Sequence, residues 1–302
     1  AHLPCPFRLS RPAAQALRKR SYFIAALQRD VGEIFGAWQR ELFKVVYLLG
    51  DATLSNVFVS LYESHSSDVT QLELVGADML LDTLGVPHKV LLGHEATYVP
   101  DRDSMSRIAY LALLRNVALQ PLFESPKDYD VVLYLNDILY CATDVVDLAR
   151  VVTPGGSAAG GGIDADMSCA VDFLARTPGQ EQQDEVRIYD TWVVHDMMGM
   201  NFRNDRPYAC QDEAQVRCGF LFSSFLVAFD ALQPFEVFSC WNGMVAVDGD
   251  LFQKARVRFR AAHRYECELS ECELIGRDLR ALNRGRIVMV PTARTAYDWD
   301  VF

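Results

Sequence analysis

The run Tyr129-Asp130-Val131-Val132-Leu133-Tyr134-Leu135 is almost wholly apolar and stops abruptly at Asn136-Asp137. A continuous run of this kind fits a strand covered on both faces, which would set Asp137 at the tip of a buried strand. A carboxylate there could hold magnesium or manganese against a nucleotide diphosphate, because these cations take oxygen ligands and keep only one or two protein carboxylates. The cation would neutralise charge developing on the leaving phosphate. The same two residues would equally serve as a turn that ends the strand. Trp241-Asn242-Gly243 joins an indole face, able to stack on pyranose C–H groups, to an amide able to bond hydroxyls; a buried Trp beside a turn is the alternative. Glu268 and Glu271 stand three apart between Cys267 and Cys272, on one side of a helix or on opposite faces of a strand. His263, Cys267 and Cys272 have irregular spacing for zinc, and His94-Glu95 and His195-Asp196 read as ordinary polar neighbours.

The elements that must position these residues alternate in type. Residues Arg11 to about Phe43 read as one or two helices, apolar side chains interleaved with charged ones. The first strong strand is Val57 to Tyr62, followed by the polar loop Glu63-Ser64-His65-Ser66-Ser67. Asp68 with Gln71 three residues later gives a helix start of the capping-box kind, and the helix runs to Gly85. His88 to Leu92 reads as a strand, Arg107 to Gln120 as a helix stopped by Pro121, and Asp144 to Arg150 as another helix. This alternation predicts an α/β sheet with parallel strands, whose ligands sit beyond the strands' carboxyl ends. Thr153 to Gly162 is a glycine-rich connector, the second half mixes short aromatic strands with loops such as Asn204 to Arg217, and Arg286 to Pro291 reads as a last buried strand.

With 302 residues, half of them hydrophobic, the chain can bury a large core. Its net charge of −11 argues against a nucleic-acid partner, which calls for a basic footprint. An acidic protein that handles an anionic nucleotide needs a cation or local arginines to offset its own field. No run of about 18 apolar residues is present to span a bilayer. The eight cysteines follow no CxxC pattern and allow disulfides without specifying them.

Several segments in order resemble one family: Val57 to Ser64, Tyr110-Leu111-Ala112 with Arg115-Asn116, Val132 to Asp137, Ala170-Val171-Asp172-Phe173, Tyr189-Asp190-Thr191, Ser239 to Met244 and Ser270-Glu271-Cys272. Together they resemble the cryptococcal capsule-associated α-1,3-mannosyltransferases, glycosyltransferase family 69, over roughly Asn56 to Asp298. The resemblance implies a GT-A-like α/β fold with a Rossmann-like, mostly parallel sheet. It also implies a GDP-mannose donor, a mannose-containing glycan acceptor, retention of the α configuration, and a type II anchor facing the Golgi lumen in the full-length protein. The chain then divides into an N-terminal helical packing segment (1–50), a nucleotide-sugar-binding half (51–150) and an acceptor-binding, catalytic half (151–302).

Carried over by residue, Asn136-Asp137 occupies the place of the GT-A Asp-x-Asp motif, whose first acid is Asn or absent here; Asp137 becomes the ligand of Mn2+ or Mg2+, with Asn136 beside the donor. Ser60, Tyr62 and Glu63 would lie at the base and ribose. Arg107, Arg115 and Asn116 would face the donor from one helix, arginine matching phosphate by its fork of donors. Glu271 would be the acid nearest the reacting sugar, with Glu268 and Asp172 in reserve, and Trp241, Asn242 and Gly243 would bind the acceptor sugar. A nucleophilic carboxylate and front-face attack without a dedicated base both remain open, as do a UDP-sugar donor and a non-catalytic glycan-binding scaffold.

Overall fold

The computed structural model describes residues 5, 15–96, 99–100, 102–152, 164–175, 186–204, 228–297 and 299. The connector at Thr153 to Gly162 and nearly all of Asn204 to Arg217 lie outside them, as do Cys210 and Cys218. In chain order the first half runs β1 (Tyr22–Gln28), α1 (Gly32–Leu49), β2 (Val57–Glu63), α2 (Thr70–Leu84), β3 (His88–Leu91), α3 (Arg107–Glu124) and β4 (Val131–Leu135). The second runs β5 (Leu139–Tyr140), α4 (Ala142–Val151), β6 (Met167–Ala175), β7 (Val186–Ile188), β8 (Phe235–Val237), β9 (Met244–Asp248), α5 (Gly249–Gln253), α6 (Glu271–Ala281) and β10 (Ile287–Ala296).

All ten strands form one sheet, in the order β3-β2-β1-β4-β9-β6-β10-β5, with β7 on β6 and β8 on β10. The pairs from β3 to β4 are parallel, so the carboxyl ends of these strands open on one side. β9 runs antiparallel between β4 and β6, which makes β6 parallel to β4 and brings its carboxyl end to that same side.

The stretch read as helical from Arg11 to Phe43 requires correction. Tyr22–Gln28 is a strand that pairs with both β2 and β4, and the helix after it begins only at Gly32. Residues 1–50 are therefore no separate helical packing piece, for they supply the inner strand of the parallel half. The reason is two-sided burial: Tyr22, Ile24 and Ala26 pack into the core on the α1 face, while Phe23 and Ala25 pack into the core on the α3 face. A strand covered on both faces loses its alternation and blends with the apolar helix that follows.

Helix α3 also runs through Pro121 to Glu124. It forgoes one backbone bond there and continues for a last turn. Asp68 does more than start α2: its carboxylate accepts from the Thr70 amide at 2.9 Å and from the Gly32 amide at 2.7 Å, so it joins the beginnings of α1 and α2. Gln71 turns away from it and donates to Glu63 at 3.1 Å. Disulfides join Cys5 to Cys141 and Cys169 to Cys240, across sequence separations of 136 and 71; loops of that length stabilise by about 4.5–5 kcal/mol each in the chain-entropy picture. Cys267 is free and exposed, and Cys272 free and buried.

Candidate active site

A cleft of about 660 Å³ opens at the carboxyl ends of the parallel strands. Leu27 and Arg29 reach it from the end of β1, Ser64 from β2, and Asn136 and Asp137 from β4. α3 contributes Arg107, Tyr110 and Arg115; the segment after β7 contributes Tyr189 to Val193; Tyr297 follows β10, and Ser270 to Cys272 begin α6. This is where a doubly wound sheet binds its ligands.

The floor of the cleft is a fixed polar knot. Arg115 donates from Nε to Glu271 Oε1 at 2.9 Å and from a terminal nitrogen to Asn136 Oδ1 at 3.1 Å. Its guanidinium lies among the rings of Tyr134, Trp241 and Phe259, 4.9 to 5.6 Å from their centres. Trp241 donates its indole N–H to the same Asn136 oxygen at 3.2 Å, and Trp38 donates to the Asn136 carbonyl at 3.0 Å. Glu271 is the first residue of α6, where a negative charge suits the helix dipole. Its other carboxylate oxygen accepts from the Ser270 hydroxyl at 3.2 Å. Asn136, Arg115 and Glu271 therefore border the cleft joined to one another through Asn136 Oδ1, two Arg115 nitrogens and Glu271 Oε1.

The acids outside this knot are different residues. Among the described residues the Asp137 carboxylate has no partner beyond its own backbone amide, and burial pushes it up to about 6, partly opposed by the charge of Arg115. Asp190 lines the cleft, and burial together with the charge of Glu271 raises its carboxyl. Behind it, fully buried Asp172 is pushed up to about 7 by burial, against the Asn242 amide, which donates to it at 2.5 Å. The Asp190 amide also donates to both Asp172 oxygens, at 3.2 and 3.3 Å. Burial and the charges of Asp172, Asp137 and Asp190 hold the Tyr297 hydroxyl well above the usual range.

A divalent cation fits this donor set in a limited way. Among the described residues no three His, Cys, Asp or Glu side chains gather to hold a metal ion. Asp137 offers the single open carboxylate that magnesium or manganese needs when phosphates and water complete the shell.

Other sequence candidates are turned into the fold rather than the cleft. Ser60 donates to the Ala118 carbonyl at 2.7 Å and joins β2 to α3. Tyr62 is buried in the core on the α3 face. Glu63 is fully buried and accepts from the amides of Ser66 and Gly93 and from Gln71, which shapes the loop after β2. Asn116 clasps the backbone of Phe259, donating at 2.7 Å and accepting at 3.1 Å. Glu268 is exposed and outside the cleft. Trp241 does line the cleft, though only 2% exposed and with its ring packed against Arg115, whereas Asn242 is fully buried. Gly243 does reach the cleft, at φ 83°, where an added Cβ would meet Thr295 Oγ1 at 2.8 Å.

Arg107 stays in the cleft wall, and Arg29 and Arg102 join it. Arg102 and Arg107 are exposed, and their side chains make no hydrogen bond or ion pair among the described residues. Arg102, Asp190, Trp192 and Tyr297 were given no role by the sequence reading. Tyr189-Asp190-Thr191 carried the family resemblance, and the acid at its centre was the available signal.

Comparison with known proteins agrees with this architecture. Residues 21–278 match the family model described as Cryptococcal mannosyltransferase 1. The alpha-1,3-mannosyltransferase CMT1 of Cryptococcus neoformans var. neoformans serotype D is 28% identical over 273 residues, 85% of this chain and 54% of that protein. The chain thus spans about half the length of this curated relative. Among solved structures, the mannosyltransferase PcManGT of Pyrobaculum calidifontis, in complex with GDP-Man and Mn2+, superposes with a TM-score of 0.50 at 8% identity, over 92% of this chain and 56% of that one. With a family match across most of its length and the GT-A arrangement of its sheet, the chain belongs to the Cryptococcal mannosyltransferase 1 family.

Proposed function

We propose that this chain is a retaining glycosyltransferase that moves mannose from GDP-mannose to a mannose-containing glycan, forming an α-1,3 linkage with the help of Mn2+ or Mg2+. The observation that carries this reading is a cleft at the strand ends in which Arg102 and Arg107, their side chains without partners among the described residues, stand with Asp137, whose carboxylate is also unpaired among them. In a chain of net charge −11, cations collected on one wall fit an anionic diphosphate. Asp137 would hold the metal, whose bound charge stabilises the departing diphosphate. Arg102 and Arg107 would take the phosphate oxygens directly. Asp190 stands in the cleft where an acid could stabilise positive charge on the reacting sugar or orient the acceptor hydroxyl. Glu271 would act by holding Arg115 and Asn136 in place, and Asp172 by fixing Asp190. An oxidising, lumenal compartment such as the Golgi lumen is supported by the two disulfides; among the described residues no helix is long and apolar enough to cross a membrane.

The test is thermal stabilisation by GDP, UDP and their sugar conjugates, each with and without manganese, since a ligand bound only by the native state raises its melting temperature. A manganese-dependent rise selective for GDP species, lost in Asp137→Ala, is expected. A UDP-selective rise replaces the donor, and no rise with any nucleotide overturns the reading.

A further inference from the structure

The two walls of the cleft differ in chemistry. The sheet order sets the ends of β1 and β2 on one side of β4, and β6 with its neighbours β7 and β10 on the other. Arg29, Arg102 and Arg107 belong to the first side, on and beside the β1-to-α3 half. The far wall, Tyr189 to Val193 with Tyr297, contains no cation.

On that far wall two large aromatic side chains stand in water. Tyr189 and Trp192 are each 47% exposed, whereas Trp38 and Trp241 are 1% and 2% exposed. Their turn is held from beneath by buried groups. The Tyr189 amide donates to the Asp172 carbonyl at 3.1 Å, and the Trp192 amide to Asp190 Oδ1 at 3.2 Å. Asn242 donates to the Asp190 carbonyl at 3.2 Å, and Asn201 to the Thr191 carbonyl at 3.1 Å. The Tyr189 ring rests on Tyr297, centres 4.7 Å apart. An exposed indole on a rigid turn needs no ordering before it meets a ligand, so little of the contact energy is lost to immobilisation.

We propose that Trp192 and Tyr189, with the Asp190 carboxylate between them, form the acceptor subsite and select an uncharged pyranoside. The apolar face of a pyranose stacks on the indole and phenol rings, and a ring hydroxyl donates to Asp190. An anionic acceptor, such as a sugar phosphate, meets acids there and, among the described residues, no free cation to offset its charge. This inference rests on the glycosyltransferase reading and adds to it where the acceptor lies and which charge it carries.

The experiment compares wild type, Trp192→Ala and Trp192→Phe, with two measurements that do not share a failure. Calorimetric binding of GDP-mannose with manganese is expected to be equal in all three, since Trp192 lies on the far wall; an absence of binding in wild type defeats the donor reading alone. The second measurement titrates methyl α-mannoside and its 6-phosphate against intrinsic fluorescence, which needs no turnover. A saturable change with the neutral sugar in wild type, abolished in Trp192→Phe, is expected, with the phosphate binding at least tenfold more weakly. Where transfer is active, Trp192→Ala should raise the acceptor KM about tenfold and leave the donor KM unchanged. No fluorescence change in wild type, an equal change in Trp192→Phe, or tighter binding of the phosphate overturns the proposal.

Discussion

Removing Arg115 tests whether the knot on the cleft floor is a scaffold or a ligand contact. Arg115→Ala leaves the Glu271 carboxylate, 2% exposed, without its 2.9 Å partner, and takes one of two side-chain donors from Asn136 Oδ1. Breaking a buried ion pair by deleting one member costs about 3–5 kcal/mol. Glu271→Ala should cost a similar amount, because it strands a guanidinium inside the cage of Tyr134, Trp241 and Phe259. The double substitution strands neither charge, so its loss should fall short of the sum of the single losses by about 2 kcal/mol, within the usual range for residues in contact. Urea unfolding at pH 7 measures this as a shift in midpoint at constant slope. Losses that add to within ~0.5 kcal/mol would show that the pair is not coupled. An Arg115→Lys protein as stable as wild type that no longer binds GDP would refute the scaffold assignment and make Arg115 a phosphate contact.

Arg102→Ala and Arg107→Ala should each weaken GDP binding about three- to tenfold, more at low salt than at high, with melting temperature unchanged, because each removes an exposed charge that makes no ion pair among the described residues. Titration at several salt concentrations reads this out, and unchanged affinity in both variants would remove the arginine wall from donor binding. The stability of the fold should also fall as pH rises from about 4 to about 7. Asp172 in the native state holds its proton up to about 7, whereas an unfolded carboxyl releases it near 4. The stabilisation is thus fully present below the unfolded value and lost as pH passes through the native one. The Asp172 share of the loss is about 4 kcal/mol, and Asp172→Asn should remove that share in urea melts at a series of pH values, leaving the shares of Asp137 and Asp144, whose carboxyls burial also raises. A slope equally steep in the variant would assign the effect elsewhere.

The sequence made some of this arrangement readable and concealed the rest for physical reasons. β2 and β4 were plain because long apolar runs end in polar turns, and β4 led directly to Asp137. β1 was hidden because its run is as apolar as its neighbour helix and both its faces are buried. Polar residues were placed next to the right strands but given the wrong surroundings. Ser60, Glu63, Asn116 and Asn242 each answer a backbone or carboxylate need inside the fold, and a buried polar side chain looks the same in sequence whether its partner is a protein atom or a ligand. The same ambiguity promoted Trp241 over Trp192: residue type announces a sugar platform, but only tertiary structure decides which indole is left in water. Asp190 escaped because a turn after a short strand has no periodicity to mark it.

Trp241-Asn242-Gly243 has a consequence of its own. The Asn242 amide reaches Asp172 on β6, its carbonyl accepts from Thr295 on β10, and the Gly243 carbonyl accepts from the Asn136 amide after β4. Asn242 at φ 46° and Gly243 at φ 83° let one short turn serve three strands. Such a hub separates evolvability from integrity. Changes at Tyr189 and Trp192 can retune what the cleft accepts while the hub keeps the strands aligned, whereas a side chain added at Gly243 would press on Thr295 and Ile138 within the hub. Libraries aimed at new acceptors should therefore vary the rim and leave the three-residue hub untouched.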